Sequence, residues 1–399
     1  AEYKLANTNE VFSQGSGSGC HLNFQSSGTL ELNLRNSVDG GSNRFVITNR
    51  LFRDPTAWYH VVLATDTTQS TASNRIKLYI NGVQETSFST ADYPSQNGNL
   101  LFNEASNMRI GRSVSDNFEY GGYMAEFVFI DGQQLDPTSF GEFDEDSPTI
   151  WKPKSLSGLT FGSNGFHLDF ENSSDLGNDV SGNNNDFTAT NLASTDQTTD
   201  TCTNNFGTLN EVDRASSITL SEGSTKAVAS ASHSAVRGTF GLTSGKWYWE
   251  NKIDSVSGGP AVGVMTSDAR LSDQLNSTQS RFYRNSGAKF NNGTETGSYG
   301  ASYTTNDIIG IALNLDDGEI TFYKNGSSQG VAFTDLLSST NDSWLPAIKI
   351  YDEGINVNFG NPSFSISSGN SDAEGFGNFE YSVPSGYFAL CTSNLAEYG

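Results

Sequence analysis

Basic residues are scarce in this chain. Only 22 Lys and Arg stand against 45 Asp and Glu, leaving a formal net charge of −23. A surface of that sign repels phosphate backbones and anionic headgroups, so nucleic acid and membrane surfaces are excluded as expected partners. Charge of either sign is also thin, at 17% of residues. Asn, Ser, Thr and Gly fill the polar surface instead, as in many extracellular β-proteins. Cysteine is sparse and odd in number: Cys20, Cys202 and Cys391 show no CxxC spacing. That excludes a disulfide framework and a cysteine zinc site, and predicts free thiols. No apolar run approaches the 18 or so residues of a membrane-spanning helix. No secretory signal peptide is legible either. The opening at Ala1 rather than Met leads us to expect a processed product or a fragment.

Helical periodicity is the other near-absence, and alternation takes its place. Leu30, Leu32 and Leu34 alternate with Glu31, Asn33 and Arg35, and Ile76, Leu78 and Ile80 with Lys77 and Tyr79. Ile309, Ile311, Leu313 and Leu315 share one strand face, and Ile355, Val357 and Phe359 another. One buried and one wet face per strand predicts antiparallel sheets stacked as sandwiches. Asn81-Gly82 and Asn325-Gly326 each sit between strand-like runs, and Asn-Gly supplies the two positive-φ residues of a type I′ hairpin turn. Aromatics reach 12%, with 26 Phe and 15 Tyr, enough to build cores in a chain long enough for two domains. The expected divisions are 1–137, an acidic Asn/Ser/Thr-rich connecting segment over 138–215, 216–362, and an extension over 363–399. Trp151, Phe161, Phe166, Leu168 and Phe170 in the connecting segment need packing partners, so it is expected to lie against both domains.

Trp58-Tyr59-His60-Val61-Val62, the run 75–84 with its Asn-Gly turn, Met108-Arg109-Ile110-Gly111-Arg112 and the closing strand 123–131 resemble the laminin-G-like, concanavalin A-type lectin family. A strand usual before Val11 is nearly missing, which predicts that the front of this module is absent or supplied by another chain. Lys246-Trp247-Tyr248-Trp249-Glu250, Ala261-Val262-Gly263-Val264 and the long run 307–326 resemble the SPRY family. Both resemblances imply concanavalin A-like antiparallel β-sandwiches of jelly-roll type, in tandem in an all-β chain. The join, with Trp151-Lys152-Pro153-Lys154, Gly165-Phe166-His167-Leu168-Asp169-Phe170 and the run 179–187, resembles structural proteins of marine bacteriophages. That resemblance implies tail fibres or capsid appendages that meet a host surface.

No Glu-x-Asp-x-x-Glu spacing, the glucanase pattern, occurs. The nearest carboxylate pair is Asp169 and Glu171, expected on one strand face. Gly326-Ser327-Ser328-Gln329-Gly330 has the nucleophile-elbow spacing but leads from a hairpin turn into a strand, whereas an elbow needs a strand-to-helix turn. His21, His60, His167 and His233 match no metal spacing. Asp179, Ser181, Asn183, Asn185 and Asp186 gather oxygen ligands of the type Ca²⁺ prefers, and laminin-G relatives often bind Ca²⁺. Turn chemistry explains the same residues and is the preferred reading. Glycan-binding candidates are loop residues with aromatic or amide groups: Tyr93, Asn103 and Tyr120 in the first module, and Tyr283, Arg284, Tyr299, Tyr303 and Tyr351 in the second. Trp247 and Trp249 share a strand face and read as core. The expected function is therefore a non-enzymatic protein of the virion surface or extracellular space. It would need no cofactor, form homo-oligomers, and bind host-surface polysaccharide or other virion proteins. The alternatives are a secreted bacterial carbohydrate-active enzyme and a purely architectural subunit.

Overall fold

The computed structural model describes residues 8–15, 19–35, 40–54, 57–115, 117–145, 148–230, 233–271, 279–291, 294–338 and 343–399. The N-terminal stretch 1–7 lies outside them, as does Asp146 of the acidic run 142–146. Among the described residues α-helix is confined to Ala72–Arg75 and Thr392–Tyr398. The chain is all-β, and its sheets form sandwiches. It divides into two compact units, Ala1–Ser194 and Thr195–Gly399.

The first unit carries a six-stranded sheet in the order Phe88–Ala91, Phe45–Thr48, Leu30–Asn33, Cys20–Phe24, Asn9–Gln14, Met108–Ile110. A three-stranded sheet of Val61–Thr65, Ile76–Ile80 and Val83–Glu85 provides a second layer. Register puts Leu22, Leu32 and Val46 on one rung, and these join Phe24, Leu30, Leu34, Phe52, Ile76, Leu78 and Ile80 in one core. The predicted alternation produces this layer directly: each apolar face turns inward.

The connecting segment divides between the units. Residues 138–194 fall in the first, where Phe166–Leu168 pairs with Phe127–Phe129 and Trp151–Pro153 pairs with Gly141–Phe143. Residues 195–215 fall in the second, where Leu209–Arg214 pairs with Ser234–Gly238.

The second unit is built from larger layers. Its seven-stranded sheet runs Leu209–Arg214, Ser234–Gly238, Trp344–Ile350, Ala261–Thr266, Ser280–Arg284, Lys289–Asn291, Thr294–Thr296. The eight-stranded sheet includes Ile218–Ser221, Lys226–Ala229, Gly354–Asn358, Lys246–Ile253, Ile308–Asn314, Glu319–Lys324 and Ser327–Phe333, with Phe388–Ala389 added in parallel to Lys246–Ile253. Here the expectation of one wet face per strand fails. Ile308–Asn314 and Gly354–Asn358 are buried along their whole length. The reason is the extension after residue 362, which covers the outer side. The Phe379 ring meets Tyr248 edge-on at 5.3 Å. Buried Glu250 accepts the backbone N–H groups of Glu380 at 3.0 Å and Tyr381 at 2.9 Å.

Candidate binding site

The predicted residues of the first unit are each engaged in the fold. Tyr93 and Tyr120 are half-buried and lay their rings on the core. Asn103, in the left-handed region at φ 64°, donates its side-chain amide to Asp131 at 2.7 Å, and its backbone N–H donates to Gln14.

The Asp179 cluster is a turn. Oδ1 of Asp179 accepts the N–H groups of His167 and Ser181. Its Oδ2 accepts the Ser181 hydroxyl and the Asn185 N–H, all four bonds at 2.8–2.9 Å. Burial would raise this carboxyl, but the four donors hold it below its ordinary value. Asp186 accepts the Asp179 N–H, while the Asn183 and Asn185 amides donate to carbonyls of residues 162–165. With every carboxylate lone pair of Asp179 spent on a protein donor, the cluster has no oxygen left to give Ca²⁺ from that residue. Among the described residues no group of three or more His, Cys, Asp or Glu side chains is arranged to hold a metal ion.

Asp169 and Glu171 do not share a strand face. The strand ends at Leu168, Phe170 takes φ 59°, and the Glu171 N–H caps Asp169, making a turn. The Ser327–Phe333 run is a strand, which removes the elbow geometry. A carboxylate row that spacing did not reveal lies on the six-stranded sheet. Glu31 sits 3.4 Å from Nε2 of His21, and Glu10 sits 4.0 Å from Nδ1. Only the register of three adjacent strands brings them together. Glu10 is 2% exposed, and burial raises its carboxyl.

In the second unit the tyrosines separate into two kinds. Tyr283 and Tyr303 are buried, a correction to their reading as binding groups: alternation along Ser280–Arg284 turns Tyr283 into the core. The Tyr303 hydroxyl donates to the carbonyls of Pro260 at 2.9 Å and Tyr283 at 3.0 Å. Tyr299 packs edge-on against Tyr283, and its hydroxyl donates to the Gly330 carbonyl. Burial pushes Tyr283 and Tyr299 up to about 12. These three rings hold the loop that follows residue 296, with Tyr283 and Tyr303 buried and Tyr299 half-buried.

Tyr351 and Arg284 are of the other kind, and the structure brings them together. Four strand ends meet at one edge of the seven-stranded sheet: His233 precedes Ser234–Gly238, Tyr351 follows Trp344–Ile350, Gly258-Gly259-Pro260 precedes Ala261–Thr266, and Arg284 closes Ser280–Arg284. Tyr351 is 38% exposed and leans on the His233 ring at 4.9 Å. The two glycines seat their neighbours: a Cβ on Gly258 would lie 2.5 Å from that of Tyr351, and one on Gly259 would lie 2.5 Å from Nη2 of Arg284. Arg284 donates to Glu295 at 2.6 Å, and Ser286 donates to the same carboxylate. Glu353 is buried and accepts the N–H groups of Gly258, Tyr351 and Asp352, which fixes the loop that carries the tyrosine. Burial, then Lys349 and Arg284, hold His233 below its ordinary value. His233, Lys349 and Glu295 were missed. The readable signal was a lone lysine inside the apolar run 344–350.

Residues 246–362 match the model of the SPRY domain, and residues 3–135 match that of the concanavalin A-like lectin/glucanases superfamily. A laminin-G-like domain and a SPRY domain are found in this chain. The ATP-dependent RNA helicase Ddx1 of Drosophila melanogaster is 30% identical over 126 residues, which is 32% of this chain and 17% of the helicase. The chain thus matches less than a fifth of that relative's length. Among solved structures, the SPRY domain of human HERC1 is 21% identical, covering 37% of this chain and 96% of that one, with a TM-score of 0.33. Stonustoxin is 24% identical over 38% of this chain and 27% of its own, with a TM-score of 0.32. The TRIM65 PSpry domain is 16% identical over 38% and 91%, with a TM-score of 0.32.

Proposed function

We propose that the chain is a non-enzymatic binding and scaffold protein that recognises glycan at the sheet edge of Tyr351, His233 and Arg284. The observation that carries this is the exposed Tyr351 ring, fixed on rigid strands beside hydrogen-bonding groups. Sugars stack on such rings, and binding groups favour loops held by a stiff scaffold. A glycan array probed with the full chain and with Tyr351→Ala tests it. Binding that falls at least tenfold in the variant supports the reading. An array on which the chain finds no ligand, or on which both proteins bind alike, overturns it.

The non-enzymatic part rests on the carboxylates. General acid catalysis needs an acid that reaches the glycosidic oxygen, and Glu10 is sealed beneath the sheet surface while Asp169 is tied into a turn. Release of reducing sugar from polysaccharide, lost in Glu31→Gln, would reverse this assignment.

For location, we propose the surface of a virus particle, as a tail fibre or capsid appendage. The support is the order of the two modules, the Trp151–Lys154 join, and a strongly acidic, weakly charged exterior. Peptide mass spectrometry of purified particles checks it, and absence of the chain from them contradicts it.

A further inference from the structure

The outer face of the seven-stranded sheet, next to the Tyr351 edge, carries two basic residues on one rung, Lys349 and Arg284. Ala235, Lys349, Ala261 and Arg284 lie on one rung across four adjacent strands. With strands about 4.8 Å apart, Lys349 and Arg284 stand roughly 10 Å apart at Cα, on the same face. Only the methyl of Ala261 lies between them. The next rung continues with Arg237, Ala347, Gly263, Phe282 and Phe290. The floor is therefore alanine and glycine, with phenylalanine along one side.

Lys349 is the unexplained member. It is 9% exposed, and its Nζ stands 5.1 Å from the centre of the Phe290 ring. Among the described residues its ammonium makes no hydrogen bond and no ion pair. The same sheet treats its other buried bases differently. Arg237 is clasped by Asp213 at 2.7 and 3.0 Å, and Arg281 by Asp335 at 2.9 Å through two bonds. A buried cation without a counter-ion is costly, and its ordinary remedy is a carboxylate. Burial, reinforced by Arg284, lowers the Lys349 ammonium from its ordinary value, with Glu295 and Glu353 acting against that. Glu353 spends its carboxylate on three N–H groups and Glu295 on Arg284 and Ser286. Among the described residues no carboxylate is bonded to Lys349.

We propose that the space between these two bases is a recess that binds the carboxylate or sulfate of an acidic saccharide, the anion lying between Lys349 and Arg284 while the sugar ring rests on Tyr351. The inference rests on the glycan reading above and names its ligand class. The net charge of −23 selects the scale of that ligand. A polyanion is repelled by the whole surface, whereas one charged group is screened beyond about 8–10 Å at moderate salt.

Calorimetric titration of the full chain with a neutral galactose trisaccharide, trigalacturonate, a sulfated galactose trisaccharide and inorganic sulfate separates the outcomes. An acidic trisaccharide is expected to bind at least tenfold more tightly than the neutral one. Lys349→Met, which keeps the apolar stem over Phe290, is expected to bring the acidic ligand down to the neutral level and leave neutral binding unchanged. Lys349→Arg is expected to restore the preference, which separates charge from misfolding. Equal binding of acidic and neutral sugars, or an unaltered preference in Lys349→Met, overturns the anion recess and leaves the glycan reading standing. Binding of inorganic sulfate, lost in Lys349→Met, with no saccharide binding keeps the recess and overturns the glycan reading. No binding of any probe overturns both.

Discussion

The two Asn-Gly hairpins are one device used in two settings. Asn81 and Gly82 take φ 47° and 78°, and Asn325 and Gly326 take 47° and 77°. In each, the asparagine side-chain oxygen Oδ1 accepts a backbone N–H, that of His60 just before a strand at 2.8 Å or that of Ile308 opening one at 2.9 Å. In each, an aromatic from the segment that follows the sandwich lies over the glycine. A Cβ on Gly82 would stand 2.3 Å from the Trp151 ring, and one on Gly326 would stand 2.7 Å from the Tyr381 ring. The settings differ. The first turn belongs to a three-stranded layer facing six strands, and the second to an eight-stranded sheet facing seven. Trp151 does more in the thinner layer: it stacks on His60 at 5.7 Å, donates its indole N–H to His60 at 3.0 Å, and meets Phe143 edge-on. Where strands are few, one aromatic does work that neighbouring strands perform elsewhere.

The comparison can be broken at several points. Trp249→Ala, which empties the heart of the larger core, is expected to cost about 3–5 kcal/mol in urea denaturation. The pH dependence should come next. Burial lowers His60 to about 4 from an ordinary 6.5, so the folded state binds fewer protons than the unfolded one. Its contribution is present above pH 6.5 and is lost as pH falls towards 4, a swing on the order of 3 kcal/mol. Glu10 and Glu250, raised by burial, act with the opposite sign near the bottom of that window. Thermal melts from pH 7 to 4 should therefore flatten in His60→Gln. An unchanged slope would show that His60 takes up its proton alike in the folded and unfolded chain, against the lowering by burial.

Trp151→Ala is expected to cost about 2 kcal/mol, less than a fully buried tryptophan, and Tyr381→Ala about 1. Gly82→Ala and Gly326→Ala should each cost about 1–3 kcal/mol, because an alanine there takes both a positive φ and a ring clash. Combining Gly82→Ala with Trp151→Ala should recover part of the sum in a double-mutant cycle. Strict additivity would contradict the contact. Tyr351→Ala, at an exposed edge, should move stability by less than about 0.5 kcal/mol while abolishing ligand binding.

The sandwich layers were legible because alternation is a local signal. Leu30, Leu32, Ile76, Leu78, Ile309, Ile311, Ile355 and Val357 are all buried. The Asn-Gly turns were legible for the same reason, since the turn residues dictate φ. What stayed hidden depends on distant chain. Tyr248, Glu250 and Asn358 alternate with the core-facing Trp247, Trp249 and Val357, yet they are sealed by the extension after residue 362, with Asn358 donating to Glu250 at 3.3 Å and to the Asn378 carbonyl. Tyr283 and Arg284 are consecutive and looked alike as candidates. One faces the core and the other the rim, a difference that register decides. The strand expected through Asp169 and Glu171 stops early because Phe170 turns left-handed, a position its sequence does not advertise. Lys349 was visible as a lone charge, but its missing counter-ion emerged only once Asp213 and Asp335 were seen beside the neighbouring arginines.

The most direct test is a crystal structure of the full chain soaked with the saccharide that binds it best. The account predicts density against Tyr351, His233 and Arg284, at the end of the seven-stranded sheet. A sugar seated instead over Glu10, His21 and Glu31 on the six-stranded sheet would contradict it.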